Sequence, residues 1–226
     1  MSDITTSHLT NGKSGGATSF LTASITPRAG ELVIVTVFQN MSPGTPNEPT
    51  VSGCGLTFEK IVTVVNSVDL SQRVTAFRAM GDAPTTGQLT INCAGQTQTS
   101  IFWGVELFAN VNRSLTEGEG GIVQSTSKSE NNSDPMSMTL TLSAFGDAKN
   151  ATYAAMIGPD IIATPSGFTS IFSDDQDLGP DNNVKAVFKA GNSTSTVFTS
   201  TGGGANVATG IAFEIRYRKP SGGGFL

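Results

Sequence analysis

The nine residues Arg73 to Gly81, RVTAFRAMG, return in altered form as Asn183 to Gly191, NVKAVFKAG. Setting Phe77 on Phe188 brings Arg78 onto Lys189 and Ala79 onto Ala190, a spacing of about 111 residues. Gly55-Leu56-Thr57 and Gly167-Phe168-Thr169 lie before the two copies, and Val105-Glu106-Leu107 and Phe213-Glu214-Ile215 lie after them, at spacings of about 112 and 108. A period this long predicts two versions of one multi-strand unit, not a solenoid. In the second copy Val184, Ala186 and Phe188 alternate with Lys185, Val187 and Lys189, so the repeated stretch is a strand.

Outward from that stretch, the pattern is β throughout. Glu31 to Phe38, ELVIVTVF, is apolar on both faces, with Leu32, Ile34 and Phe38 on one and Val33, Val35 and Val37 on the other, which predicts a central strand covered on both sides. In SIFWGVELF, Ser100 to Phe108, the residues Ile101, Trp103, Val105 and Leu107 share one face and Glu106 lies on the other. Trp103 is therefore expected in the core, and Glu106 with its counterpart Glu214 is expected at the surface. Met136 to Ser143, MSMTLTLS, alternates cleanly, placing Met136, Met138, Leu140 and Leu142 inward. No stretch carries a helical i, i+3, i+4, i+7 stripe, so helix is expected to be minimal.

The expected organisation is an all-β, two-sheet antiparallel β-sandwich, jelly-roll-like, with an internal pseudo-repeat. Residues 1–16 read as a flexible N-terminal arm ending in Ser14-Gly15-Gly16, and residues 17–217 as the sandwich. Its halves are 17–111 and 135–217, joined by the polar connection 112–134 with at most a short edge strand. Residues 218–226 form a Gly-rich C-terminal tail. The halves are expected to pair in one domain, since an open sheet must bury one face; two sandwiches in series are the alternative.

Composition narrows the function. The chain of 226 residues is 14% charged, with 26 glycines and a net charge of −5. An acidic chain without a basic stripe is poorly suited to nucleic acid or an anionic membrane, so neither is expected as a partner. The first sixteen residues lack a basic then apolar signal pattern, which predicts synthesis in a cytoplasm without a signal peptide. Cys54 and Cys93 are expected as free, small apolar thiols, with a disulfide as the alternative.

Catalytic chemistry finds little footing. A Ser-His-Asp or Cys-His arrangement needs a base, and the chain has one histidine, His8, within the expected arm. Glycoside hydrolysis needs two carboxylates at a set distance, and the pair offered by the repeat is Glu106 and Glu214. No catalytic residue is assigned, and a non-enzyme is expected. Asp174, Asp175, Asp177 and Asp181 crowd one loop with the hard oxygen ligands that suit Ca²⁺, without the spacing of an EF-hand; the ordinary reading is a solvated turn. Phe225 and Leu226 follow a Gly spacer and are candidates for contact with another subunit, because two apolar side chains gain nothing from water.

The segments PTVSGCGLTF (Pro49 to Phe58), RVTAFRAMG and SIFWGVELF, in a chain of short Thr/Ser/Gly-rich strands, resemble the jelly-roll and lectin-like β-sandwich modules of tailed-phage virion structural proteins and of carbohydrate-binding modules. The likeness spans most of residues 17–217 and lies at the level of fold. It implies a non-enzymatic structural component of the virus particle, most simply a capsid decoration or accessory protein. Its partners would be the major capsid protein and copies of itself. The second implied reading is a carbohydrate- or receptor-binding module of a tail fibre or spike, with a glycan as ligand.

Overall fold

Strand β3, Leu32–Asn40, has all nine residues buried, as its two apolar faces require. It is the middle strand of a five-stranded antiparallel sheet in the order β1-β9-β3-β7-β6, with β1 at Thr5–Ser14, β6 at Glu59–Val65, β7 at Gln72–Ala79 and β9 at Ser100–Ala109. A second five-stranded sheet has the order β10-β17-β12-β15-β14, from β10 (Ile122–Asn132), β12 (Ala151–Gly158), β14 (Thr169–Asp174), β15 (Asn183–Lys189) and β17 (Asn206–Ile215). These assignments come from a computed structural model that describes residues 3–132, 136–158, 161–174, 183–201 and 206–219.

The two large sheets pack face to face. Leu32, Ile34, Phe38, Val74, Ala76, Phe102 and Phe108 of the first meet Tyr153, Ala155, Phe172, Val184, Phe188, Ile211 and Phe213 of the second in one continuous core. Burial of this kind contributes about 25 cal/mol per Å² of apolar surface and dominates the stability of the stack. The expected all-β antiparallel sandwich is therefore present.

Each large sheet is also covered on its outer face. The first is backed by a four-stranded sheet, β2-β8-β4-β5, of Ser19–Leu21, Leu89–Asn92, Thr50–Gly53 and Leu56–Thr57. Phe20, Val51, Leu89 and Ile91 there pack on Val33, Val35, Val37, Phe77, Trp103 and Val105. The second is backed by β11-β16-β13, of Ser137–Thr141, Ser195–Thr201 and Ile161–Ile162. Met138, Leu140 and Phe198 there pack on Ala154, Met156, Val187 and Ala212. The result is four layers, small, large, large, small, where two were expected.

The strand orders of the large sheets correspond element by element, but the residues matched by the repeat do not share a face. Phe77 points to the outer core of its sheet, whereas Phe188 points to the central core. Val105 likewise faces outward from the stack, whereas Phe213 faces its centre. Side chains alternate with period two along a strand, so a register offset of one residue exchanges every face. Similarity in the letters and equivalence in space are out of step by that one residue.

Two boundaries also change. Residues 5–14, read as part of a flexible arm, are edge strand β1, paired with β9 from Thr5 opposite Ala109 to Ser14 opposite Ile101. The arm has few apolar residues because a polar edge strand needs few, and this hides it from a periodicity argument. Within the connection 112–134, β10 is not a short strand but an eleven-residue edge of the second large sheet. A 3-10 turn at Thr116–Gly121 leads into it, with Gly118 at φ 78 lying against Leu32. A Cβ there would come within 2.6 Å of Leu32 Cδ1, so glycine is required both by conformation and by space. No described helix is long and apolar enough to cross a membrane.

Candidate functional site: buried acids in the sheet stack

Glu106 and Glu214, expected at the surface, are both fully buried. The face of β9 opposite Trp103 is not solvent but the interface with the second large sheet, and Glu106 stands in it. Its neighbours come from both sheets. On one side His8 of β1 is paired directly opposite in the ladder, with His8 Nδ1 3.4 Å from Glu106 Oε1. On the other, Tyr153 of β12 donates its hydroxyl proton toward Glu106 Oε2 at 3.5 Å, and that hydroxyl lies 2.7 Å from Thr36 Oγ1 of β3. Both contacts to the carboxyl are long, and apart from His8 the Oε1 atom has no polar partner among the described residues.

A bulge aims the histidine. The β1–β9 register shifts between His8 and Thr10, so that His8 turns toward the central interface and Leu9 packs against the outer core. The ring is then fixed from three directions: Nε2 against Asn11 Oδ1 at 3.0 Å, a stacked contact with Phe172 at 5.5 Å, and the carboxyl of Glu106.

Glu214 lies on the other face of its sheet, between Phe213 and Ile215 of the central core. Two amides grip it: Gln124 Nε2 donates to Oε2 at 2.6 Å and Asn150 Nδ2 donates to Oε1 at 2.6 Å. Asn150 also accepts the backbone N–H of Tyr217. Hydrogen bonds of this length hold the strand ends together and supply the donors that a buried carboxyl group needs.

Electrostatics follow from this burial. Contact with Glu106 raises the pKa of His8, opposed by partial burial and assisted by Asn11. Burial raises that of Glu106, opposed by His8 and Tyr153. Burial and the nearby acid raise that of Tyr153 well above the usual phenol range, so it stays a neutral donor. Both His8 and Glu106 thus bind protons more tightly folded than unfolded. Stability must fall as pH rises, first above the ordinary glutamate value of 4.5 and then through and above the ordinary histidine value of 6.5. Urea midpoints at pH 5.5 and 8.0 test this: the protein is expected to be more stable at pH 5.5, His8→Gln to lose the upper part of the dependence and Glu106→Gln most of it. A flat profile in the unsubstituted protein would contradict the assignment.

The other expected site residues fall as follows. Trp103 is 6% exposed, packed on Phe20 and covered by β1 at Gly12, where a Cβ would come 2.3 Å from its ring; no sugar can stack on it. Asp174 ends β14 and pairs with Lys13 of β1 at 3.3 Å. Asp175, Asp177 and Asp181 lie outside the described residues, as do Phe225 and Leu226. Among the described residues no group of three His, Cys, Asp or Glu is placed to hold a metal. Cys54 and Cys93 are free and buried, and burial pushes the Cys93 thiol up to about 11, which keeps it protonated and unreactive.

What the sequence reasoning missed is the His8–Glu106–Tyr153–Thr36 chain. One signal was available: an acid on a strand that is otherwise apolar is costly to bury alone, and the chain's one histidine is a natural partner for it. Compared with protein-family models and with curated proteins, the chain matches none.

Proposed function

We propose that this chain is a non-enzymatic structural component of a virus particle, a capsid decoration or accessory protein that associates with copies of itself and with the major capsid protein. The observation that carries the reading is the use made of the buried acids Glu106 and Glu214 and of the groups that meet them. His8, Glu106 and Tyr153 tie one large sheet to the other, and Glu214 ties strand ends through two amides. Such groups converge on rigidity and not on an open cleft where a substrate could meet them.

The outer layers supply surfaces on which a rigid body of this kind could assemble. Ile161 and Val197 are 60% and 43% exposed on neighbouring strands of the β11-β16-β13 sheet, among the outward Ser137, Thr139, Thr141 and Thr199. A sheet face rich in β-branched residues and carrying little charge suits contact with another protein surface.

Quantitative mass analysis of purified particles, with analytical ultracentrifugation of the isolated chain, tests the proposal. The expected result is many copies per particle beside the major capsid protein, with association weakened by the double substitution Ile161→Glu and Val197→Glu. A monomer that neither self-associates nor accompanies any particle would overturn it.

A further inference from the structure

The end of β17 opens onto a cleft of about 370 Å³ that shares only Asn150 and Tyr217 with the contacts above and is lined besides by Asn112, Val123, Asp147, Arg216 and Lys219. We propose that this cleft is a binding site for a carboxylate-bearing sugar. The inference does not rest on a particle role for the chain.

Four features of the cleft lead there. The first is an available fork: Arg216 is exposed and has no carboxylate partner among the described residues. A guanidinium in that state matches a carboxylate bidentately. Second, the charge of the cleft runs against that of the chain. Arg216 and Lys219 line it and Lys149 lies 5.0 Å from the centre of the Tyr217 ring; against these three cations stand Asp147 in the lining and Glu214 behind Asn150, in a protein of net charge −5.

Third, the polar groups available for hydroxyls are fixed in place. Asp147 accepts the backbone N–H of Lys149 and pairs with Lys219 at 3.4 Å, which lowers its pKa and keeps it an ionised acceptor. Asn112 uses its Oδ1 on Ser114, leaving its amide N–H groups to donate. Asn150, 4% exposed, is held by Glu214 and by the Tyr217 backbone, so the floor is rigid. Fourth, Val123, 39% exposed, offers an apolar wall for the C–H face of a ring. A volume of this order is at the lower end of small-ligand sites and accommodates one or two pyranose units.

Titration of the ¹⁵N-labelled full chain with D-glucuronate, D-glucose and inorganic phosphate separates the outcomes. Saturable shifts with glucuronate at Asn112, Asp147, Asn150 and Tyr217, with neither glucose nor phosphate reproducing them, are the expected result. Removing a charged hydrogen-bonding partner costs about ten- to a hundredfold in affinity, so Arg216→Ala should weaken binding by that factor and Arg216→Lys by less. Arg216 is exposed, so an unchanged amide spectrum elsewhere will show that the variants are folded. Absence of saturation with glucuronate would overturn the proposal. Equal binding of phosphate, or binding indifferent to Arg216→Ala, would overturn it as well.

Discussion

Replacing Tyr153 by Ala is expected to lower the free energy of unfolding by about 3–5 kcal/mol, the range for deleting a large buried aromatic. Tyr153 is fully buried at the centre of the stack, with its ring 4.8 Å from that of Phe213 and 6.2 Å, edge on, from that of Phe108. Those partners belong to different large sheets, so the deletion opens a cavity where the halves meet and where neither can relax alone. Tyr153→Phe separates the polar part of the effect. It keeps the ring but leaves the buried Thr36 hydroxyl and Glu106 Oε2 without their phenol, at a cost of about 1–3 kcal/mol. Denaturant unfolding of both variants decides the matter. Losses below about 0.5 kcal/mol in each would mean that the sheets are not joined through this residue.

Gly104→Ala is expected to cost about 1–3 kcal/mol through overpacking, and Gly104→Val more. Gly104 sits in the middle of β9, and a Cβ there would lie 2.0 Å from Phe172 Cε1 and 2.7 Å from Glu106 Oε1. Phe172 has little room to retreat, since its ring stacks on His8 and meets Phe38 edge on at 6.1 Å. The strain should therefore pass into β14 and β1 and show as faster amide hydrogen exchange in those edge strands before global unfolding. Combining Gly104→Ala with Phe172→Leu should restore part of the loss, because contacting residues couple by about 0.5–3 kcal/mol. Additive effects of the two substitutions would show that glycine is not needed there for the approach of Phe172.

Both predictions act on the interface between the large sheets, the same place where His8 Nδ1 meets Glu106 Oε1 at 3.4 Å. The proposed assembly through the outer layers leaves this interface untouched, so the pH dependence of unfolding is expected to be the same for the free and assembled protein. The acidic-sugar cleft lies at the end of β17 and is separable from it by the Arg216 substitutions.

Most strands other than β1 and β10 were legible in the local pattern of residues. Alternation along Met136 to Ser143 and the doubly apolar run through β3 gave strand type, inward residues and the central position, because period two is a local property of the chain. It also placed Trp103 correctly, on the face that β2 and β8 cover. What alternation cannot say is what lies over the opposite face. The tertiary structure decided that a second sheet lies there, so Glu106 became a buried acid with a histidine for a neighbour. The same stacking turned a polar N-terminal stretch into an ordered edge strand, since its partner β9 lies about ninety residues away and pairing with it leaves no local mark. Neighbouring residues fix which way a side chain alternates, and only contacts between segments distant in sequence fix whether water, a sheet or a partner acid meets it.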